Sequence, residues 1–169
     1  MALNGINNIT IVLVNEDLHP KDFIDDPEIT TFTQLEELYG FSYPERLTRL
    51  LKHNYFIKGS KLISIIKNKK IIASTWLHPN FDPEGDIGLM GIKNYFSCGP
   101  VFVDTNYRKL GLASRLLKHT CYSARKSEVY PVYMGIEIDN TPAIKHSIKY
   151  GFKLKNIIIR IKNEEPIII

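Results

Sequence analysis

The chain has 169 residues, a formal net charge of +4, 44% hydrophobic residues and 24% charged residues. These values are typical of one globular domain, expected over residues 1–169, and they exclude a disordered chain because apolar residues are plentiful and the net charge is low. Two cysteines are too few for a disulfide scaffold, and no apolar run approaches the roughly 20 residues of a membrane span. With no secretory signal at the start, we expect a cytoplasmic protein that has no membrane partner.

The charge is unevenly distributed along the chain. Residues 1–55 have a balance of −5, residues 56–103 of +3 and residues 104–169 of +6. The basic last third is compatible either with an ordinary solvated surface or with attraction of an anion. Because the basic residues are scattered, without a run that includes aromatic residues, no nucleic-acid partner is expected.

The first third of the chain predicts one strand and two helices. Residues 9–14 predict a strand, which a polar, proline-containing loop follows. Residues 33–36 (Thr-Gln-Leu-Glu) form a capping box that predicts a short helix ending near Gly40. Residues 42–45 repeat this signal, and Leu47, Leu50 and Leu51 then form the apolar face of a second helix.

Three strands are predicted in the middle of the chain. Residues 61–67 and 70–78 flank a hairpin turn at residues 68–69, and a loop follows over residues 80–85. Residues 92–103 predict the third strand, which Gly99-Pro100 interrupts because proline has no amide to donate to a ladder.

The last part of the chain alternates helices and strands. It predicts a helix over residues 110–126, a strand over 132–138, a helix from its N-cap Asn140 to Tyr150, and a strand over 152–161. The order of elements indicates an α/β or α+β fold in which one strand–helix–strand unit is parallel.

Residues 101–113 are the segment most suggestive of chemistry. They predict a strand, a short turn and a helix start with small residues at Gly111 and Ala113. A helix N-terminus has free amides and a partial positive charge that suit a phosphate, and Arg108 and Lys109 add cations. The alternative is a loop in which Gly111 only relieves backbone strain. Motifs for nucleoside triphosphates, dinucleotides and zinc are absent from the sequence, so no metal is expected.

Two motifs in this order resemble a known family. Residues 108–113 (Arg-x-x-Gly-x-Ala) resemble the acyl-coenzyme A signature of the GNAT family of N-acetyltransferases, and residues 140–143 with 150–152 resemble its N-x-x-A and G-F segment. The similarity covers residues 61–161, whereas the first 60 residues match only in outline. The resemblance implies a mixed, mostly antiparallel α/β sheet that is splayed in the middle and has helices on both faces.

The resemblance also implies a co-substrate, acetyl-coenzyme A or another acyl-coenzyme A. Its pantetheine arm would lie between the strand ending at residue 103 and the strand over 132–138, where unpaired backbone groups of Val101 and Val103 would bind it. The implied cofactor-binding residues are Val101, Phe102, Val103, Arg108, Lys109, Leu110, Gly111, Leu112, Ala113, Ser114 and Asn140.

Two departures from the family pattern leave the catalytic residues open. The family often has a tyrosine seven residues after the asparagine as general acid, but that position is Ser147, and Tyr150 lies three residues further on. Ser147 is alternatively a small core residue. The family also often has a glutamate before the phosphate loop, which is missing here, so Glu137 and His78 are the candidate bases, each with a structural alternative. The candidate acceptor-binding residues, which packing would equally explain, are Trp76, Tyr95 and Ser97.

The missing glutamate favours an acceptor amine that loses its proton readily. At pH 7 deprotonation costs about 4–5 kcal/mol for a lysine-like amine but only about 1–1.5 kcal/mol for an amine with a pKa near 8. We therefore expect direct attack by a small-molecule amine such as an amino sugar, free or nucleotide-linked, or by an α-amino group. Alternatives are a protein or peptide N-acetyltransferase, a non-catalytic acyl-coenzyme A-binding domain and a basic interaction module. The apolar residues 167–169 are compatible with a homodimer.

Overall fold

The computed structural model describes residues 5–16, 23–53, 55–127 and 130–169. Two 3-10 turns, Leu35–Leu38 and Thr105–Tyr107, accompany the strands and helices. The strands are β1 (Ile6–Asn15), β2 (Ile29–Phe32), β3 (Lys61–Lys67), β4 (Lys70–Pro79), β5 (Phe96–Cys98), β6 (Phe102–Val103), β7 (Val132–Glu137), β8 (Lys153–Ile161) and β9 (Ile167–Ile168). The helices are α1 (Glu45–Lys52), α2 (Asp86–Leu89), α3 (Leu112–Ser127) and α4 (Thr141–Lys149).

The strands form one mixed sheet in the order β2-β3-β4-β5-β7-β1-β8-β9, with β6 also paired to β4. Among the described strands every ladder is antiparallel except the one between β5 and β7. This pair confirms the prediction of one parallel strand–helix–strand unit, and the structure shows that α3 is the crossover helix that such a connection needs.

Helices cover both faces of the sheet, as predicted. On one face α3 packs the buried side chains of Leu116 and Leu117 into a core with β3, β4 and β7. On the other face Leu47 of α1 packs with Leu62 and Trp76, and Ile87 of α2 belongs to a third cluster with β1 and β7. The described helices include none that is long and apolar enough to cross a membrane.

The sheet opens in its middle because β5 and β7 pair only briefly. Their ladder covers residues 96–97 against 132–133, after which residues 134–137 pair only with β1. Next to β4 the ladder is irregular, because the three residues 99–101 between β5 and β6 lie opposite only two residues of β4, 75 and 76. The extra residue forms a β-bulge. The expected splay is therefore present, and Gly99-Pro100 lies where the pairing is interrupted.

Several predicted boundaries differ from the observed ones for local reasons. The strand predicted over residues 92–103 consists of two short strands separated by the bulge, and α3 begins at Leu112 rather than at residue 110. Lys109 and Gly111 both have positive φ, which delays the start of the helix. The predicted hairpin turn at residues 68–69 is confirmed, and both of its residues have positive φ, as a type I′ turn requires.

The capping box at residues 33–36 was predicted incorrectly, and three short elements were missed. The backbone and hydroxyl of Thr33 bond to Glu37 instead of Glu36, and a 3-10 turn replaces the helix. The strands β2 and β9 and the four-residue helix α2 are too short to show a hydrophobic period. The C-terminal Ile167–Ile168 pairs with β8 of its own chain, and the homodimer stays a prediction.

One buried ion pair attaches the segment before β2 to α3. Arg115 donates from Nε to Asp26 Oδ2 at 2.7 Å and from Nη2 to Oδ1 at 3.0 Å, while Asp26 is only 7% exposed. The hydrogen bond from Arg115 lowers the pKa of the Asp26 carboxyl below 3.8. Glu28 also contacts Arg115, at 3.3 Å, but its side chain is 75% exposed.

We predict that Asp26→Asn lowers the free energy of unfolding by about 1–3 kcal/mol, because it leaves a partly buried guanidinium without its carboxylate. Glu28→Gln, the matched control on the same arginine, should change it by less than about 0.5 kcal/mol. Because the folded pKa of Asp26 is depressed, this stabilisation is present above pH 3.8 and is lost as the pH falls below it. Urea unfolding at several pH values measures both effects, and equal losses in the two variants would contradict the prediction.

Candidate functional site

The turn between β6 and α3 is held in shape by its own side chains and by two left-handed residues. The Asp104 carboxylate accepts a hydrogen bond from the Asn106 amide at 2.9 Å and binds Lys70 Nζ at 2.9 Å. Lys109 has φ of 63° and Gly111 of 76°. The positive φ favours glycine at position 111, and a Cβ there would meet no atom within 4 Å, so the space above the turn is open.

The start of α3 presents a row of backbone donors. No described residue accepts a hydrogen bond from the amides of residues 109–114, and the first such bond of the helix is from the Arg115 amide to Gly111 O at 3.1 Å. Arg108 and Lys109 are exposed beside these amides. Free amides, the helix dipole and two cationic side chains together make this turn suitable for a phosphate or diphosphate.

Side chains connect the first turn of α3 to α4. Ser114 Oγ lies 2.7 Å from His146 Nε2 and accepts a hydrogen bond from Tyr150 Oη at 3.2 Å. The ammonium groups of Lys118 and Lys149 lie 5.0 and 5.7 Å from the centre of the Tyr150 ring. The bond with Ser114 lowers the pKa of Tyr150, with help from the two lysines, which makes its phenol a stronger acid than usual.

A cavity of about 670 Å³ occupies the opening in the sheet. Residues 97–101 line it on one side and residues 134–137 on the other, at the place where β5 and β7 have parted. Asn140 and Ala143 of α4 contribute to its wall, as do Asp82, Glu84 and Asp86 from the connection between β4 and β5. The cavity is thus bounded by elements from both faces of the sheet.

The edge of β6 that faces this opening has free backbone groups. The Asp104 amide donates to Ile72 O of β4 at 2.7 Å, and Phe102 is paired with the same strand. Residues that exchange hydrogen bonds alternate along an antiparallel ladder, so the backbone groups of Val103, which lies between Phe102 and Asp104, are directed away from β4. They therefore face the gap toward β7, as expected for strands that would bind an extended ligand between them.

The structure brings part of the predicted site together. Ser97, Val101, Glu137 and Asn140 all line the cavity. Residues 108–114 lie outside its lining, but the Ser114–His146 contact joins their helix to α4, whose Ala143 lines the cavity one turn before His146. Asn140 also caps α4, since its Oδ1 accepts a hydrogen bond from the Ala143 amide at 3.4 Å.

Three predicted site residues lie in the core and do not line the cavity. Ser147 is 4% exposed, and its hydroxyl donates to Ala143 O at 2.9 Å and lies 3.0 Å from Met134 Sδ. Trp76 is 1% exposed in the cluster that α1 covers. The Tyr95 ring packs edge-on against Tyr133, with 6.1 Å between ring centres. These positions correspond to the packing alternative for each residue.

His78 is also inside the protein. Its ring is inaccessible, stacks on Trp76 with 5.4 Å between ring centres, and has Nδ1 2.7 Å from Ser60 Oγ. Burial lowers the pKa of this imidazole to about 4. Such an environment favours the neutral imidazole at every physiological pH. His78 is not among the residues that line the cavity.

Sequence reasoning missed the charged residues at the far wall of the cavity. These residues come from segments that are distant in the chain, so no local motif links them; the closest signal is the acidic alternation at residues 82, 84 and 86. They are Arg46, Asp82, Glu84, Asp86 and Arg160. No group of three or more potential metal-ligating side chains occurs among the residues that the structure describes.

Comparison with known proteins gives one family match and several similar structures. The model of the acetyltransferase (GNAT) family matches residues 29–152. A GNAT-family protein from Novosphingobium aromaticivorans is 18% identical, with a TM-score of 0.62, over 90% of this chain and 63% of that one. A GNAT-family acetyltransferase from Colwellia psychrerythraea is 15% identical, with a TM-score of 0.60, over 95% and 59%.

A third similar structure is a glucosamine N-acetyltransferase region of a fungal multidomain β-N-acetylglucosaminidase. It is 16% identical, with a TM-score of 0.59, over 91% of this chain and 20% of that one. The chain thus spans about 60% of the length of the two bacterial proteins. At these identities the likeness is one of fold.

We predict that the His78 imidazole titrates near pH 4, because its charged form is desolvated. The unfolded chain then binds more protons than the folded one between pH 6.5 and about 4, so stability falls as the pH is lowered through this window. NMR titration of the ring, assigned with His78→Gln, measures the pKa directly. A value near 7 would contradict the structural role and restore His78 as a candidate base.

Proposed function

Because the chain belongs to the acetyltransferase (GNAT) family, we propose that it transfers an acetyl or other short acyl group from a coenzyme A thioester to a primary amine by direct attack. The observation that carries this proposal is the row of unaccepted amides at residues 109–114 beside the opening between β6 and β7. The first feature suits the diphosphate of coenzyme A, and the second suits its extended arm.

The residues present fit this co-substrate. In the proposed arrangement the amides of residues 109–114 bind the diphosphate, and Arg108 and Lys109 add charge-assisted contacts. The backbone groups of Val101 and Val103 bind the amides of the pantetheine arm, and Asn140 contacts the same arm from α4. The thioester then lies in the cavity and supplies an activated carbonyl for the acceptor amine.

Two residues are assigned to proton transfer in this proposal. Glu137 lines the cavity on β7 and is the candidate base that takes a proton from the attacking amine, directly or through a water molecule. Tyr150 lies outside the cavity lining, but its hydroxyl bonds to Ser114 at the start of α3, beside the proposed diphosphate site, and it is the candidate acid for the departing thiolate. Ser147 and His78 receive no chemical role, because both are buried in the core.

We propose an amino sugar as the acceptor, on the chemical ground that its amine needs little help to lose a proton. Glu137 is the one carboxylate assigned as a base. Because an amine with a pKa near 8 loses its proton more easily than a lysine side chain, it depends less on a strong base and is the favoured acceptor. The fungal glucosamine N-acetyltransferase region has a similar fold, which is compatible with such an acceptor.

We predict that Gly111→Trp abolishes binding of acetyl-coenzyme A, because the indole would cover the amides at the start of α3. Any side chain at this positive φ also strains the backbone, by about 1–2 kcal/mol. Gly40→Trp is the matched control, since Gly40 has φ of 88° and equally open space but lies away from the site. Isothermal titration should give the wild-type affinity for the control and no binding for Gly111→Trp.

Wild-type affinity in the Gly111→Trp variant would refute the assignment of the diphosphate to this turn. If the unaltered protein binds acetyl-coenzyme A but no amine accelerates thiol release, the chain is a binding domain and the transferase proposal fails.

We predict that Glu137→Gln lowers kcat by about 100-fold and removes the acidic limb of the pH profile, because it removes the base while keeping the shape of the side chain. Asp139→Asn is the matched control, an exposed carboxylate two residues further on that does not line the cavity. Steady-state assays of thiol release over a pH range measure both variants. An unchanged profile for Glu137→Gln would assign proton removal to solvent or to another residue.

A further inference from the structure

The connection between β4 and β5 forms an acidic wall of the cavity. Ile87 anchors this connection in the cluster with Val12 and Tyr133, and Asp86 next to it is 4% exposed. A Cβ on Gly135 would lie 2.8 Å from Asp86 Oδ2, so this carboxylate rests directly on the backbone of β7. The wall therefore reaches the part of β7 that borders the opening in the sheet.

The acidic side chains of this wall are fixed by hydrogen bonds. Asp82 accepts from the amides of Glu84 and Ile87 at 3.1 and 2.9 Å. Glu84 accepts from Tyr55 Oη at 3.1 Å, and burial raises the pKa of Tyr55 to about 12, so the phenol remains a donor. These hydrogen bonds hold the carboxylates of Asp82 and Glu84 at the cavity wall.

The charges at this end of the cavity do not cancel. Arg160 is bonded to Asp86, so these two compensate each other. Of the other lining residues, Asp82, Glu84 and Glu137 are carboxylates, and only Arg46 carries a positive charge. A cleft with low-dielectric walls concentrates such a negative potential, which attracts cations and repels phosphate groups.

Positive charge predominates at the end of the site where the co-substrate is proposed to bind. Arg108, Lys109, Lys118 and Lys149 surround the start of α3 and the ring of Tyr150. The two ends of the site thus differ in sign, so each end attracts one reactant and disfavours the other.

We infer that the acceptor is a cationic primary amine that carries no phosphate, selected by Asp82 and Glu84 at this wall. The inference rests on the proposed transferase function. It restricts the acceptor to amines without a phosphate group and therefore excludes nucleotide-linked amino sugars.

The test uses pairs of acceptors that share one amine and differ by a phosphate: glucosamine with glucosamine 6-phosphate, and ethanolamine with phosphoethanolamine. We expect kcat/KM to favour the unphosphorylated member of each pair by about tenfold or more. Raising the salt concentration from about 0.01 M to about 1 M, which shortens the Debye length from about 30 to about 3 Å, should reduce this preference.

Two variants connect the preference to the wall. Glu84→Gln keeps an oxygen for the Tyr55 hydroxyl, whereas Asp82→Asn keeps an acceptor for only one of the amides of residues 84 and 87. Each variant should reduce the preference by about threefold or more. Glu164→Gln is the control, an exposed carboxylate in the turn after β8, and should leave it unchanged. The KM for acetyl-coenzyme A should stay the same in all three.

The outcomes separate this inference from the function on which it rests. Faster turnover of the phosphorylated member, or a preference that neither wall variant alters, would overturn the inference while leaving the transferase proposal intact. Absence of thiol release with every amine would overturn both.

Discussion

The site depends on the parting of β5 and β7 after two residue pairs. A strand that leaves its neighbour exposes peptide groups, and in the middle of a sheet this costs free energy unless a partner bonds to them. Here the bulge at residues 99–101 turns β6 so that it pairs only with β4, while residues 134–137 of β7 pair only with β1. The opening is thereby built into both ladders, and a ligand with amide groups of its own can complete them.

The same parting places two helix N-termini at one end of the sheet. Because β6 runs in the same direction as β5 and β7, and β6 and β7 are the strands that precede α3 and α4, both helices begin beyond the diverging ends of these strands. Ser114 and His146 keep the two helices in contact, so the turn with free amides stays beside the cavity although it is not part of its lining. A ligand with a diphosphate at one end and a reactive group at the other would span these two features.

The prediction of this half of the proposed site draws on local information in the sequence. Residues 108–113 combine a turn, a glycine and a helix start within one segment, and residues 140–143 form an independent helix cap. Trp76, Tyr95 and Ser147 illustrate the limit, since the residue types suit either a pocket or a core and only the packing decides. The acidic wall depends on contacts such as Glu84 with Tyr55 and Asp86 with Arg160, across 29 and 74 positions of the chain, which no periodicity reports.

The separation of charge between the two ends bears on how a small domain handles two substrates in one opening. The net charge of +4 gives no indication of it, because basic residues near α3 and α4 outnumber the acidic ones that line the far wall. In the proposed function, opposite potentials would orient each reactant before contact and would keep the polyanionic co-substrate out of the acceptor end without any steric gate. Gly135 is the position where this arrangement is most constrained, since any side chain there would displace Asp86 from β7 and with it the wall that Asp86 anchors.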